Sequence, residues 1–375
     1  MAKKNELDAL KDLRKLLGDD AVFFGGEELS GTHEHITTGS PSVDYATGIG
    51  GVARGRVTQV AGVPSSGKTM LALSTLANWQ AEDPNNWGVF IDAEYTYDKT
   101  WAESLGVDTE RVILIKNNEA KAVFEALVGR IGKEGKKTIP GILDRIIEGT
   151  LPFKIGVIIL DSIDTLTTPL ETNSEVGAQN FAPVARFLTT ELKRLTPLVA
   201  KANVAFIAIN QIRMDLTAGK FGNPETTSGG RALKHALSMS ILVRPSTAKE
   251  NKIFDSKETQ IGHKVLVKNA KNKLAPAHRS AEYFIEYTKG MVRQAEELLD
   301  LGVLIGTISK PNQQSYIING ETFRGREAAA AQLRNPDLYR KIEAETKERY
   351  LSDPTAGGAE PPLDEDGGDD EDSEE

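Results

Sequence analysis

Three short, unbroken apolar runs stand out along the chain: Val89-Phe90-Ile91, Val157-Ile158-Ile159-Leu160 and Val204-Ala205-Phe206-Ile207-Ala208-Ile209. A strand buried on one face alternates apolar and polar residues, whereas one buried on both faces reads as a continuous run. The runs therefore predict central strands of a mostly parallel sheet. Helical segments such as Phe187 to Ala200 separate them, which is the doubly wound α/β pattern, here from about Thr37 to Tyr287. Arg56 to Ala61 reads as a further strand, and Met70 to Leu76 as a helix. Ile241 to Val243, Lys264 to Val267 and Tyr283 to Tyr287 follow without long helices and predict an antiparallel extension of the sheet. Upstream, Leu7, Leu10, Leu13 and Leu17 fall at helical spacing and predict an amphipathic helix over Glu6 to Leu17. The expected division is 1–36 for that helix and a linker, 37–289 for the α/β core, 290–350 for a small mixed C-terminal domain, and 351–375 for a disordered tail rich in Pro, Gly and acids.

Composition changes this picture mainly through charge. The net charge is −9, but the last twelve residues, Asp364 to Glu375, hold nine acids and no base. Without them 45 acids face 45 Lys and Arg, so the body is formally neutral and a nucleic-acid partner is not excluded. The chain has no cysteine, hence no disulfide and no thiolate metal site. It has no apolar run of about eighteen residues, the length that would suggest a membrane span. Its polar N-terminus lacks an apolar signal core, and a cytoplasmic location is expected.

The strongest chemical signal is Gly62-Val63-Pro64-Ser65-Ser66-Gly67-Lys68-Thr69, which fits G-x-x-x-x-G-K-[ST] between a predicted strand and a predicted helix. Glycines let backbone N–H groups converge on phosphate oxygens, and the helix N-terminus adds partial positive charge. Gly62, Ser65, Ser66 and Gly67 then cradle a triphosphate, Lys68 reaches its outer phosphates, and the Thr69 hydroxyl faces Mg²⁺. Asp161 closes a very apolar strand, the place of a second Mg²⁺-holding group. Glu94 ends the strand Phe90-Ile91-Asp92-Ala93-Glu94 at the edge where nucleotides sit. On spacing alone it suits a water-activating base and a salt-bridged loop acid equally. Trp101 suits base stacking, although a lone Trp is more often core. Gln211 ends the strand Phe206 to Asn210 and can sense a γ-phosphate. From Ile212 to Gly230 no period is visible, and the stretch carries Arg213, Lys220 and Phe221, with Arg231 just after. Such a loop suits phosphate contacts. A second irregular stretch, Leu170 to Ala182, contains Phe181, and Lys268, Lys271 and Lys273 cluster at a strand end.

Taken together these strings resemble the RecA/UvsX class of homologous-recombination ATPases. Beyond the phosphate loop, the resemblance rests on Thr38 to Asp44, Phe90 to Glu94, Leu105 to Asp108, Ile209-Asn210-Gln211-Ile212-Arg213-Met214, Phe221-Gly222-Asn223-Pro224-Glu225-Thr226-Thr227, and Lys271-Asn272-Lys273 with Leu274-Ala275-Pro276. It spans roughly Thr37 to Tyr287 and extends more weakly to both ends. The resemblance implies that Glu94 is the catalytic base, with Lys68 and Gln211 as its catalytic partners, and that Trp101 stacks on adenine. It implies that Lys271 and Lys273 reach the neighbouring subunit's nucleotide. It also implies two DNA-binding loops, one around Glu175, Gly177, Phe181 and Arg186. The other runs from Arg213 and Met214 through Lys220, Phe221, Gly222, Asn223, Thr226 and Thr227 to Gly229, Gly230 and Arg231. The N-terminal helix is then an oligomerisation element, and the acidic tail restrains DNA access. Three features depart from the class: Gly-Val-Pro in place of Gly-Pro-Glu in the phosphate loop, His235 and Ser240 where an aromatic and an arginine are common, and about twenty extra residues near Gly132 to Thr150.

The function implied is an ATP- and Mg²⁺-dependent recombinase. It forms helical filaments on single-stranded DNA with ATP between protomers, pairs the strand with homologous duplex, and works beside single-strand-binding and loader proteins at the nucleoid. A ring-forming motor on the same core and a non-hydrolysing scaffold are the competing readings. The specific strings oppose the first, and the pair Lys68 and Glu94 opposes the second.

Overall fold

Six parallel strands are the frame on which every candidate residue is hung. In chain order the central sheet comprises β1 (Arg56–Gly62), β2 (Asn86–Asp92), β3 (Val112–Lys116), β4 (Lys154–Asp161), β5 (Ala205–Met214), β6 (Met239–Pro245), β7 (Gln260–Asn272), β8 (Ser280–Glu286) and β9 (Gly290–Val292). The spatial order is β9-β8-β7-β6-β1-β5-β4-β2-β3. From β6 to β3 all pairings are parallel, and β7, β8 and β9 are added antiparallel. The computed structural model describes residues 15, 33–132, 136–169, 183–214 and 225–353. Apart from Lys15, the predicted helix over Glu6 to Leu17 lies outside the described residues, as does the acidic tail. From Glu34 on, the chain forms one unit.

The strands are apolar on both sides because helices cover both faces. On one face Val60, Phe90, Ile159, Ile207 and Ile241 pack with Met70, Leu71, Leu73 and Leu76 of helix α2 (Lys68–Glu82), which follows α1 (Pro41–Thr47). On the other, Val57, Val89, Ile91, Ile158, Leu160 and Phe206 meet a second layer of helices. These are α4 (Ala120–Val128), α5 (Ile142–Ile147) and α6 (Pro183–Ala202), the short α3 (Lys99–Ser104) lying between α2 and α4 in the chain. Odd and even positions of each strand thus enter different cores. Each fully buried Leu, Ile or Phe contributes about 1.5–3 kcal/mol.

Two expectations change. Ile241 to Val243 belongs to the parallel part of the sheet, with Ile241 opposite Val60, instead of the antiparallel extension. The crossover that returns the chain is α7 (Gly230–Ala236), seven residues and too short to announce itself by periodicity. The stretch expected to be irregular from Ile212 to Gly230 also begins in strand and contains a second one, Glu225–Thr227, before its end. Met214 lies opposite Glu225, Arg213 opposite Thr226 and Ile212 opposite Thr227. The inserted residues near Gly132 to Thr150 include Lys137–Ile139, paired with Arg130–Ile131, and α5, whose Leu143 is fully buried beneath the second helical layer.

Residues after β9 build a separate small core from α8 (Gln294–Ile305), a three-stranded antiparallel sheet, α9 (Arg326–Leu333) and α10 (Pro336–Ser352). Leu298, Leu299, Ile308, Tyr316, Leu333 and Ile342 fill it. Glu297 joins it to α1, accepting from the Ser42 N–H at 2.7 Å and from the Ser40 hydroxyl, the N-cap of α1. Burial pushes the Glu297 carboxyl up to about 7.

Helix α2 lies so close to the sheet that a strand residue beneath it must be glycine. A Cβ on Gly156 would meet the Trp79 ring at 2.3 Å, and that indole is fixed by a 3.0 Å hydrogen bond to the Trp87 carbonyl. Gly156→Ala is therefore expected to destabilise the fold by about 1–3 kcal/mol through overpacking, read as a lowered urea midpoint with an unchanged slope.

Candidate functional site: a phosphate cradle beside a hairpin

The carboxyl ends of β1, β2, β4 and β5 bring the phosphate-loop, acid and amide residues to one crest. Gly62 ends β1 directly opposite Gln211 on β5, and Asp92 of β2 lies opposite Asp161 of β4. A Cβ on Gly62 would sit 2.2 Å from the Val243 carbonyl, so only glycine lets the loop leave β1 against β6. The loop then turns through left-handed backbone at Ser65 (φ 59) and Gly67 (φ 90) and enters α2 with no side-chain cap and no acid in the first turn. Its first N–H groups and the helix dipole face an anion site. Ser66 is buried and its hydroxyl has no partner in the protein. Lys68 is also buried and its Nζ donates to the Val63 carbonyl at 2.7 Å. Burial lowers its pKa, while Asp161, Glu94 and Asp164 act in the opposite direction. An orphaned hydroxyl, an uncapped helix and a lysine folded onto its own loop fit a triphosphate.

Across the crest the Thr69 hydroxyl donates to Asp161 Oδ2 at 2.7 Å. This pairing of a hydroxyl with one carboxylate fits Mg²⁺ held jointly by protein and phosphate oxygens, and needs no cluster of acids. Among the described residues there is no group of three or more His, Cys, Asp or Glu placed to hold a metal by themselves. Burial pushes the Asp161 carboxyl up to about 6, against the Thr69 hydrogen bond and Lys68. Asp92, fully buried, accepts from the N–H groups of Thr96 (2.9 Å) and Tyr97 (3.1 Å), shaping the turn that carries Glu94. Glu94 accepts from the Ser162 hydroxyl at 2.6 Å, and no Lys or Arg among the described residues pairs with it. Among the described residues the salt-bridged alternative thus has no ion pair to support it.

Glu94 and Gln211 line one open cleft of about 680 Å³ with Thr96, Asn118, Asp164 and Thr167. From Gln211 the chain runs straight into the hairpin. Asn210 is completely buried, and its Nδ2 donates to the Ser228 carbonyl at 2.9 Å on the returning arm and to Gln59 Oε1 at 3.3 Å. Gln59 in turn donates to Ser240 at 3.2 Å, so the serine that departs from the family pattern ends a buried polar chain leading to the hairpin. Asp164 accepts from Arg213 at 2.9 Å and from the Ser228 hydroxyl. Gln59, Asn118 and Asp164 escape sequence reasoning. Each is an ordinary polar residue whose partner lies far along the chain, and no period or motif marks it.

Other predicted residues fall elsewhere. Trp101 is half-buried against the first core and its Nε1 donates to the Tyr287 carbonyl at 3.0 Å. Lys271 and Lys273 donate to the carbonyls of Lys234 and His235, the last turn of α7. They sit at the amino ends of the parallel strands, where Ser240 lies opposite Lys271, and so on the edge away from this chain's own cradle. Arg186, Arg213 and Arg231 are exposed, Thr226 and Thr227 are half-buried in the hairpin, and Gly229 (φ 94) and Gly230 (φ 65) turn the chain into α7. Glu175, Gly177, Phe181, Lys220, Phe221, Gly222 and Asn223 lie outside the described residues, as does the Met214 side chain.

The raised Asp161 pKa has a defined sign. The native carboxyl holds its proton more tightly than the unfolded one, so its contribution to stability falls as pH rises from 3.8 through about 6. Asp161→Asn is expected to raise the ligand-free unfolding free energy at pH 7.5 by about 1–3 kcal/mol and leave it nearly unchanged at pH 3.5. The same substitution should weaken Mg²⁺-dependent nucleotide binding. Urea titrations at the two pH values and calorimetric nucleotide titration check both halves.

Comparison with known proteins agrees with this geometry. The family model for the RecA N-terminal domain matches residues 4–292. Protein RecA of Thermus aquaticus is 35% identical over 361 residues, 96% of this chain and 98% of that protein. Protein RecA of Campylobacter lari is 36% identical over 345 residues, 91% of this chain and 92% of its own length. Protein RecA of a Nitratiruptor species is 34% identical over 348 residues, 92% and 93% of the two chains.

Proposed function

The chain belongs to the RecA family, and from that premise we propose how its residues divide the work of an ATP-dependent DNA recombinase. Family membership makes it a DNA-dependent ATPase that assembles on single-stranded DNA and catalyses homologous pairing and strand exchange. The observation that carries the residue assignments is the meeting of cradle, acids and amide at one crest, with the hairpin leaving directly from Gln211.

In this reading Ser66, Gly67, Lys68 and the first turn of α2 hold the ATP phosphates, and Lys68 leaves the Val63 carbonyl for the outer phosphates. Thr69 and Asp161 hold Mg²⁺, which when bound neutralises charge developing on the transferred phosphoryl group. Glu94, steadied by Ser162, takes the proton of the attacking water. Gln211 answers to the γ-phosphate and passes its position to the hairpin and to loop residues 215–224, a nucleotide-dependent switch. Arg186, Arg213, Arg231 and the two loops track DNA phosphates, so binding falls with salt and shows little base preference. Trp101 packs on the base, and Lys271 and Lys273 serve the nucleotide of the next protomer in a filament. The N-terminal helix over Glu6 to Leu17 joins protomers, residues 37–289 and 290–350 act as separate domains, and the tail competes with DNA. Single-strand-binding and loader proteins are the expected partners, at the nucleoid of a cytoplasm. Among the described residues no helix is long and apolar enough to cross a membrane.

ATP hydrolysis by the full chain, measured with and without single-stranded DNA, is the direct test. Strong stimulation by DNA is expected, and its absence with nucleotide binding intact would remove the recombinase reading. Glu94→Gln is expected to lower turnover by about 10²–10⁴-fold while ATP-dependent DNA binding persists. Loss of that binding would show that Glu94 is not simply the base.

A further inference from the structure

Asp164 stands where the nucleotide cleft meets the root of the hairpin. Its side chain is only 4% exposed, and its two oxygens go to opposite arms. Arg213 Nη2 on the outgoing strand donates to Oδ2 at 2.9 Å, and the Ser228 hydroxyl, one residue past the returning strand, donates to Oδ1. The hairpin ladder holds the same arms together by backbone pairs, Arg213 opposite Thr226 and Ile212 opposite Thr227. Asp164 therefore adds a charged clasp across a closure that main-chain bonds already make.

The clasp occupies a cation that faces outward. The Arg213 side chain is 62% exposed, as a phosphate-contacting guanidinium at the root of a DNA loop should be. Its partner is nearly buried, so lifting Arg213 onto a phosphate leaves a shielded carboxylate without its cation. Moving Arg213 to DNA still frees the cation condensed on that phosphate, but the gain is offset by the carboxylate it leaves behind.

We propose that Asp164 is a latch: a positioning residue that sequesters Arg213 at the foot of the 215–224 loop, so that DNA phosphates must displace a carboxylate to gain that contact. The proposal rests on the DNA-binding reading of this loop. The latch sets a threshold. Weak or isolated phosphate contacts leave Arg213 on Asp164, and a strand engaged along the whole loop outcompetes it. The carboxylate also lines the cleft with Glu94 and Gln211, and its charge acts on Lys68. The same group is thus within the field of the phosphate site.

Asp164→Asn tests the latch, because an amide oxygen still accepts from Ser228 while the charge that holds Arg213 is gone. Binding of a fluorescent oligodeoxythymidine to the full-length protein is measured by anisotropy across a salt series, without nucleotide and with a non-hydrolysable ATP analogue. Asp164→Asn is expected to bind roughly tenfold tighter than wild type without nucleotide, the scale of one charge-assisted hydrogen bond. Its log–log salt slope should be steeper by about 0.7, one added phosphate contact on a single strand. In an Arg213→Ala background the same substitution should change neither quantity. Equal or weaker binding by Asp164→Asn, or an undiminished gain in the Arg213→Ala background, overturns the latch. Thermal melts of each variant identify any loss of binding that is only unfolding, and for an unfolded Asp164→Asn, Asp164→Ser takes its place with the same expectations. Wild-type binding with an unresponsive variant sinks the latch alone. Failure of both proteins to bind DNA under any nucleotide condition sinks the recombinase reading and the latch with it.

Discussion

The parallel pairing of β1 with β5 is the constraint on which the site depends. It sets Gly62 opposite Gln211, so the start of the phosphate cradle and the first residue of the hairpin are one strand spacing apart, about 4.8 Å. The β5–β4 and β4–β2 pairings carry the same alignment outward to Asp161 and Asp92. All four carboxyl ends meet on one side because each connection crosses back over a face of the sheet. The helices making those crossings are what bury both strand faces. Packing and site placement are therefore one arrangement: α2 cannot cover its face without delivering Lys68 and Thr69 to the crest.

The crest concentrates groups that a folding chain would otherwise avoid burying. Asp92, Asp161 and Lys68 are all buried, and Ser66 has a hydroxyl with no partner in the protein. Asp92 is satisfied by two backbone N–H groups and acts as a fixed support. Asp161 and Lys68 make only provisional contacts, one with the Thr69 hydroxyl and one with a loop carbonyl. Groups whose own protein satisfies them poorly gain most from a charged ligand, and local rules are most often broken at functional sites.

Legibility of this chain followed the range of the interactions. The central strands could be read because burial on both faces leaves uninterrupted apolar runs, Glu94, Asp161 and Gln211 because each follows such a run, and Lys68 and Thr69 because the phosphate-loop spacing marks them. The partner of β6 could not be read, since a seven-residue helix carries too little periodicity to reveal a parallel crossover. Nor could the strand character of Ile212 to Met214, which exists only because Glu225 to Thr227 lies beside it. Asp164 shows the limit plainly. Its partners at 213 and 228 are brought to it by two other segments, β5 and the turn after the returning strand, and nothing in Asp161-Ser162-Ile163-Asp164 distinguishes the second acid from a solvated turn residue.

The hairpin at the end of β5 also makes the loop it carries interchangeable. Ladder pairs close the chain between Met214 and Glu225, so the ten residues from 215 to 224 leave and re-enter at points fixed by the sheet. An insertion, deletion or wholesale exchange inside that span changes what is displayed without moving Gln211 relative to Gly62. On the DNA-binding reading of that span, what it contacts can then diverge under selection, or be rewritten by grafting, while the phosphate cradle stays as it is.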